Sequence, residues 1–223
     1  MKIPEKDEFL TKSADALGEM LENIKKAKPL DSKRLKNDMT ALVIIDMING
    51  FVKEGMLSSP RINEIISNVV KTAEICRERG FKIIALADCH SEASVEFKSY
   101  PVHCVRNTYE SELIDELKNI GGIELIKKNS TNGFMEETFL AWFDNNRNIS
   151  NFIITGDCTD ICIMQFSLSL KTYFNKNDKD VNIIIPVDSV ETFDLGIHNG
   201  DLMNVFSLYI LESNGSEIVS EII

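Results

Sequence analysis

The feature that most constrains this chain is a series of short apolar runs separated by segments of helical periodicity. The runs are Ala41–Asp46, Lys82–Asp88, Gly122–Lys127, Asn151–Thr155 and Asn182–Val187, all rich in Val and Ile. Runs this short and this continuously apolar suit strands buried on both faces. Between them, apolar residues recur with helical spacing over about Arg61–Arg79, Ser111–Asn119, Glu136–Asn146, Asp160–Asn175 and Gly196–Leu211. Gly80 stops the first of these in the manner of a helix C-terminus. A last run, Ser216–Ile223, adds an edge strand. Alternation of this kind predicts an α/β fold, a three-layer α/β/α (Rossmann-like) arrangement around a mostly parallel central sheet with right-handed crossovers.

Residues 1–38 stand apart. Phe9, Leu10, Leu17, Met20, Leu21 and Ile24 recur with helical spacing, and Pro29 ends the pattern. This reads as an N-terminal helical extension and linker, followed by one domain over residues 39–223. The apolar stripe of the extension must pack on something, either this subunit or another.

Composition narrows the function. The chain has 223 residues, with 24 Lys and Arg against 35 Asp and Glu, a net charge of −11. A nucleic-acid binder needs a basic footprint, and an anionic membrane surface attracts the same sign; neither partner is expected. No apolar run approaches the roughly 20 residues that span a bilayer. The N-terminus lacks the apolar core of a signal peptide. Five Cys in a large charged chain favour free thiols in a reducing compartment, so a cytoplasmic protein is expected.

In parallel α/β sheets, ligands sit beyond the carboxyl ends of the strands. The residues there are Asp46; Asp88, Cys89 and His90; Lys127 and Lys128; the stretch Gly156 to Cys162; and Asp188. Neither a G-x-G-x-x-G nor a G-x-x-x-x-G-K-[ST] pattern occurs at these points, which leaves nucleotide-phosphate cradles unsupported. A thiol beside a cation and a carboxylate is a workable nucleophile. Cys162 falls in the first turn of a helix that starts near Thr159 or Asp160, where the dipole favours a thiolate and Asp157 and Asp160 oppose it. Spacing alone leaves Cys162 as a small core residue; its position at a strand end together with Asp46 and a lysine points to catalysis. A second group is Asp88-Cys-His90, Glu96 and His103, which gathers two of the three His of the chain with two acids. Such ligands suit Zn²⁺, Mn²⁺ or Fe²⁺. His198 reads as part of the last helix, packed or solvated.

Residues 39 to about 213 resemble the isochorismatase-like cysteine hydrolases, and within them the nicotinamidases. The resemblance rests on Leu-Val-Ile-Ile-Asp46 with Asn49-Gly-Phe51, Asp88-x-His90, Tyr100-Pro-Val-His103-Cys-Val, Lys128 with Phe134, and Thr155-Gly-Asp-Cys-Thr-Asp-Ile-Cys162. It implies a triad of Asp46, Lys128 and Cys162, with Lys128 chosen over Lys127 because Phe134 follows it six residues on. It implies an oxyanion hole of the Cys158 and Cys162 backbone N–H groups and a cis peptide between Asp157 and Cys158. It implies one divalent transition metal, zinc first with iron or manganese as alternatives, held by Asp88, His90 and His103, with Glu96 as a fourth ligand. Phe51, Tyr100 and Phe134 are the matching substrate-binding positions. Asn132-Gly133-Phe134 departs from the Ser-Ala-Phe of the family, and Thr131 stands where the family has Tyr. The implied activity is hydrolysis of nicotinamide to nicotinate and ammonia through a Cys thioester, in a homo-oligomer. The alternatives are a relative acting on another small amide, a ureide or an isochorismate-like enol ether, and a catalytically silent binding or scaffold member.

Overall fold

A computed structural model describes residues 2–223. Its centre is a seven-stranded sheet of β1 (Thr40–Ile45), β2 (Lys82–Asp88), β3 (Glu124–Lys128), β4 (Asn151–Asp157), β5 (Asn182–Pro186), β6 (Val190–Glu191) and β7 (Glu217–Val219). The order across the sheet is β3-β2-β1-β4-β5-β7, and the short β6 pairs with the end of β4. All strand pairs are parallel. The helices are α1 (Lys6–Lys25), α2 (Asn49–Val52), α3 (Pro60–Glu64), α4 (Ile66–Glu78), α5 (Asp115–Lys118), α6 (Glu137–Asn145), α7 (Met164–Lys176) and α8 (Gly200–Ser213).

The central strands are apolar through their middles because each face meets helices. Leu42 and Ile44 of β1, Ile153 of β4 and Ile184 of β5 point into a core that Val69, Ala73 and Cys76 of α4 complete. Their neighbours Val43, Ile45, Phe152, Ile154, Ile183 and Ile185 point the other way, against α6, α7 and α8. Side chains alternate along a strand, so one continuous run feeds two cores. Burial of each such side chain contributes about 1.5–3 kcal/mol. The second core is strongly aromatic: Phe139 stacks on Trp142 and Phe143 and meets Phe166 edge-on.

Element boundaries depart from the periodicity where backbone chemistry intervenes. Gly121 and Gly122 adopt φ of 71° and 73°, so they form a turn and β3 begins only at Glu124. The Arg61–Arg79 helix is two pieces, α3 and α4, with Ile65 between them. Only Asp115–Lys118 of the Ser111–Asn119 segment is α-helical. The last helix starts at Gly200, because the Asn199 side chain caps it by accepting from the Leu202 N–H at 2.8 Å. His198 therefore lies before the helix and not within it.

The extension docks along the far edge of the molecule. α1 lies against α8 and leaves Phe9 and Leu10 half-exposed. The chain then runs beside its own C-terminus: Leu30 N–H donates to Glu221 O, and Ile223 N–H donates to Leu30 O, each at 2.9 Å. Among the described residues no helix is long and apolar enough to cross a membrane.

Two backbone features set up the carboxyl end of the sheet. Gly156 sits beside Ile45 in the β1–β4 register with φ of 111°, and a Cβ there would lie 1.9 Å from the Ile45 carbonyl oxygen. Only glycine allows the two strands to approach so closely. Asp46, directly after β1, has φ of 55°, a left-handed conformation that Asp tolerates better than most residues. The chain turns there into α2.

Candidate active site

Asp46, Asp88 and Lys128 come from the adjacent carboxyl ends of β1, β2 and β3, and all three are buried. Cys162 comes from a π-helical turn, Thr159–Ile163, that follows β4 and leads into α7. Lys128 is the hub. Its Nζ lies 2.8 Å from Asp46 Oδ2, donates to Asp88 Oδ1, and stands 3.6 Å from Cys162 Sγ. Lys127 alternates to the other face and is exposed, which separates the two lysines that spacing alone left open. Asp46 is held from its other side as well: Oδ1 accepts from the Asp88 N–H at 2.9 Å.

Burial governs the charges. It pushes the Asp46 carboxyl up, with Asp88 adding to the effect and Lys128 opposing it, to about 6. Burial also works to raise Asp88, but Lys128 and the two histidines hold that carboxyl below the ordinary range. Burial works against the Lys128 ammonium, yet Asp46 and Asp88 keep its pKa well above the usual lysine value. Cys162 is pushed well up by burial, and Lys128 offsets that only in part. The helix start favours a thiolate and Asp157 and Asp160 oppose it; burial adds to that opposition, which is chemistry for a thiol attacking with the help of a base. Asp46 is the carboxylate in place to serve.

Asp88, His90, Glu96 and His103 form the second group, their potential ligand atoms all within 4.8 Å of one another. Asp88 Oδ2 is 3.5 Å from His90 Nε2 and 3.7 Å from His103 Nε2. The donor chemistry fits a divalent ion. Both ring nitrogens of His90 are buried and without a hydrogen-bond partner. His103 Nδ1 donates to the Pro101 carbonyl at 2.7 Å, which fixes the tautomer and leaves Nε2 free as a ligand. Asp88 belongs to both groups, one oxygen on Lys128 and the other on the histidines. The sequence reads the two groups separately; β2 and β3 lie side by side and fuse them.

A narrow pocket with about 40 Å³ of free space opens over this cluster. Phe51, Tyr100, Asp88, Glu96, His103, Cys158 and Cys162 all line it. The peptide bond between Asp157 and Cys158 is cis. Ile161 and Ile163 N–H groups both donate to Cys158 O at 3.1 Å, closing the turn that carries Cys162. One sequence-predicted residue is elsewhere. Phe134 does not line the cavity; it packs against Phe139, Phe166 and Tyr173 in the aromatic core. The space is lined instead by Thr131, whose hydroxyl donates to Gln165 at 3.0 Å. Leu57, Asp157, Ile161 and Phe193 also line the cavity. Asp157 was readable as a strand-end residue, whereas Phe193 follows a strand of only two residues that leaves no signal in the sequence.

Comparison with known proteins agrees with this architecture. Residues 40–214 match the isochorismatase domain family. Nicotinamidase 1 of Arabidopsis thaliana is 29% identical over 91% of this chain and 96% of its own length. A protein of the same plant described as a probable inactive nicotinamidase is 23% identical over 74% of this chain and 87% of its own length. Among solved structures, the nicotinamidase of Bacillus subtilis superimposes with a TM-score of 0.69 at 21% identity, covering 81% of this chain and 99% of that one. N-carbamoylsarcosine amidase of Thermoplasma acidophilum gives 0.67 at 22%, covering 81% and 95%. The pyrazinamidase of Pyrococcus horikoshii in complex with zinc gives 0.65 at 24%, covering 81% and 98%.

Proposed function

The chain belongs to the isochorismatase family, and on that premise we propose that it is an amidohydrolase that converts nicotinamide to nicotinate and ammonia through a thioester on Cys162. The observation that carries this reading is that one cavity is lined both by Cys162 and by Asp88, Glu96 and His103 of the ligand group. The Arabidopsis relative named nicotinamidase 1 supports the choice of substrate.

Asp46, ionised at neutral pH, takes the proton of the Cys162 thiol as the sulfur attacks the amide carbonyl. Lys128, 3.6 Å from Sγ, faces the negative charge that develops there. Its second role is to hold the Asp46 carboxylate in place. The Cys158 and Cys162 N–H groups receive the oxyanion, a contribution that costs about 3–4 kcal/mol of barrier when one such donor is lost. The C–N bond then breaks, and Asp46 returns its proton to the departing nitrogen, releasing ammonia. Water, deprotonated by Asp46, attacks the thioester carbonyl, and Cys162 leaves as the thiol. Asp88, His90, Glu96 and His103 would hold a divalent ion, zinc first, which when bound offers a ligand position to a ring nitrogen. Phe51 and Tyr100 flank the ring. Anchoring the nitrogen of a rigid ring fixes the direction of its amide, and such orientation contributes several kcal/mol, at the order of magnitude known for positioned reactants.

The test is a comparison of nicotinamide with benzamide, which keeps the amide and loses the ring nitrogen. Nicotinamide is expected to release ammonia far faster. Equal turnover would remove the ligand group from substrate orientation, and turnover of a ureide or enol ether with none of nicotinamide would overturn the substrate.

A further inference from the structure

Phe193 is a third aromatic wall of the cavity, and the reaction scheme above gives it no part. It follows β6, after which the chain folds back in a tight hairpin. Leu195 N–H donates to His198 O at 3.0 Å, His198 N–H donates to Leu195 O at 2.9 Å, and Gly196 at the tip has φ of 60°. The hairpin returns His198 beneath Phe193. The two rings lie flat on each other, centroids 4.0 Å apart and planes 7° apart. His198 Nδ1 donates to the Phe193 carbonyl at 2.9 Å, and Nε2 donates to Asp160 Oδ2 at 2.8 Å. Asp160 sits two residues before Cys162 in the π-helical turn, and its other oxygen accepts from the Thr192 hydroxyl at 2.6 Å.

We propose that His198 is a positioning residue: it sets the plane of Phe193 against the substrate ring and ties that wall to the turn carrying Cys162, so that the 193–198 hairpin selects planar aromatic amides over aliphatic ones. The proposal rests on the amidohydrolase reading for its substrate and on the contacts above for its geometry. Three details support a positioning role over incidental packing. Both ring nitrogens of His198 face acceptors, one on the Phe193 backbone and one on the Asp160 side chain, so the ring is addressed from two sides. The base of the hairpin is clamped independently by Arg61, which pairs with Glu191 at 3.1 Å and with Asp201 at 2.7 Å and donates to the Thr192 carbonyl at 3.2 Å. The hairpin tip itself, Leu195 and Ile197, is exposed, so the interior-facing contacts of the hairpin are those of Phe193 and His198. With Phe51 and Tyr100, Phe193 gives the cavity aromatic walls from three separate segments, suited to a flat ring.

The experiment measures protection of Cys162 from iodoacetamide by benzamide and by acetamide, located by peptide mass spectrometry, alongside KM and kcat for nicotinamide. In the wild type, benzamide should protect Cys162 and acetamide should protect it poorly. In His198→Ala the half-protecting benzamide concentration and the KM should rise about three- to tenfold, the range set by loss of an aromatic contact. kcat should change less than KM, and acetamide should be unaffected. His198→Phe, which can retain the stack but neither hydrogen bond, should fall between. An unchanged KM and protection in a folded His198→Ala, or equal weakening of benzamide and acetamide, overturns the proposal. If His198→Ala does not fold, Phe193→Leu carries the same test of the wall. A wild type that benzamide protects but that does not turn over nicotinamide overturns the substrate reading and leaves the wall standing, whereas a wild type unprotected by benzamide overturns the wall.

Discussion

Replacing Lys128 by Met removes the one ammonium that stands between two buried carboxylates. The side chain of Lys128 is fully enclosed, and so is that of Asp46, while Asp88 is nearly so. Met has similar length, so packing is largely kept and the change is electrostatic. Breaking a buried ion pair by removal of one partner costs about 3–5 kcal/mol, because the remaining charge is left uncompensated. For a chain of this size that corresponds to a melting temperature lower by about 6–20 °C. The sign of the pH dependence follows from Asp46. Its carboxyl is already raised to about 6 with Lys128 present, and a carboxyl whose folded value lies above its unfolded one loses stability as pH rises between the two. Without Lys128 the Asp46 carboxyl moves further up and Asp88 loses the cation that holds it down, so the deficit should be largest above neutral pH and shrink as acid protonates Asp46. Thermal melts by circular dichroism across that range read the effect directly. Ammonia release should fall at least about a hundredfold, as expected when a positioned base loses its partner. A variant that melts within about 2 °C of wild type at neutral pH would refute the view of Lys128 as the neutralising hub.

Gly156→Ala places a Cβ on the Ile45 carbonyl at a φ of 111°, so it should destabilise by more than the roughly 1 kcal/mol that Ala costs at an unsuitable position; denaturant melts measure it, and a neutral result would contradict the strand geometry. His103→Ala or treatment with a strong chelator should remove about one divalent ion per chain, measured by elemental mass spectrometry, since structural N/O sites of this kind hold a single ion; wild type that never carries an ion would contradict the ligand group. kcat/KM for nicotinamide should fall as pH drops through about 6, where Asp46 takes up its proton, and a rate flat down to pH 5 or so would exclude Asp46 as the base.

Much of this was legible in the sequence, for identifiable reasons. Val43, Ile154 and Ile183 announce strands because strands covered on both faces read as near-continuous apolar runs. Asp46, Asp88 and Cys162 stand out because each sits where a strand or its turn ends, and parallel order brings those ends together; of Lys127 and Lys128, both at such an end, the family's spacing to Phe134 picks Lys128. What periodicity missed involves backbone conformation or very short elements. The glycine turn at 121–122 delays β3, and the Asn199 cap delays α8, leaving His198 outside the helix. Phe134 keeps the family's spacing from Lys128, but spacing does not say which way a side chain packs, and it lies against Phe139, Phe166 and Tyr173. Phe193 and the His198 hairpin depend on a two-residue strand, too short to show a pattern. The upward push of burial on the Cys162 thiol depends on residues distant in the sequence, which no local spacing reveals.

The most direct test of the account is the covalent intermediate. Wild-type protein mixed with nicotinamide, quenched in acid within the turnover time and examined by intact and peptide mass spectrometry should carry one nicotinoyl group, on Cys162 and on no other cysteine. Cys162→Ala, with an unchanged circular dichroism spectrum, should carry none and release no ammonia. An acyl group on another residue, or ammonia release from folded Cys162→Ala at the wild-type rate, would contradict the proposed thioester chemistry.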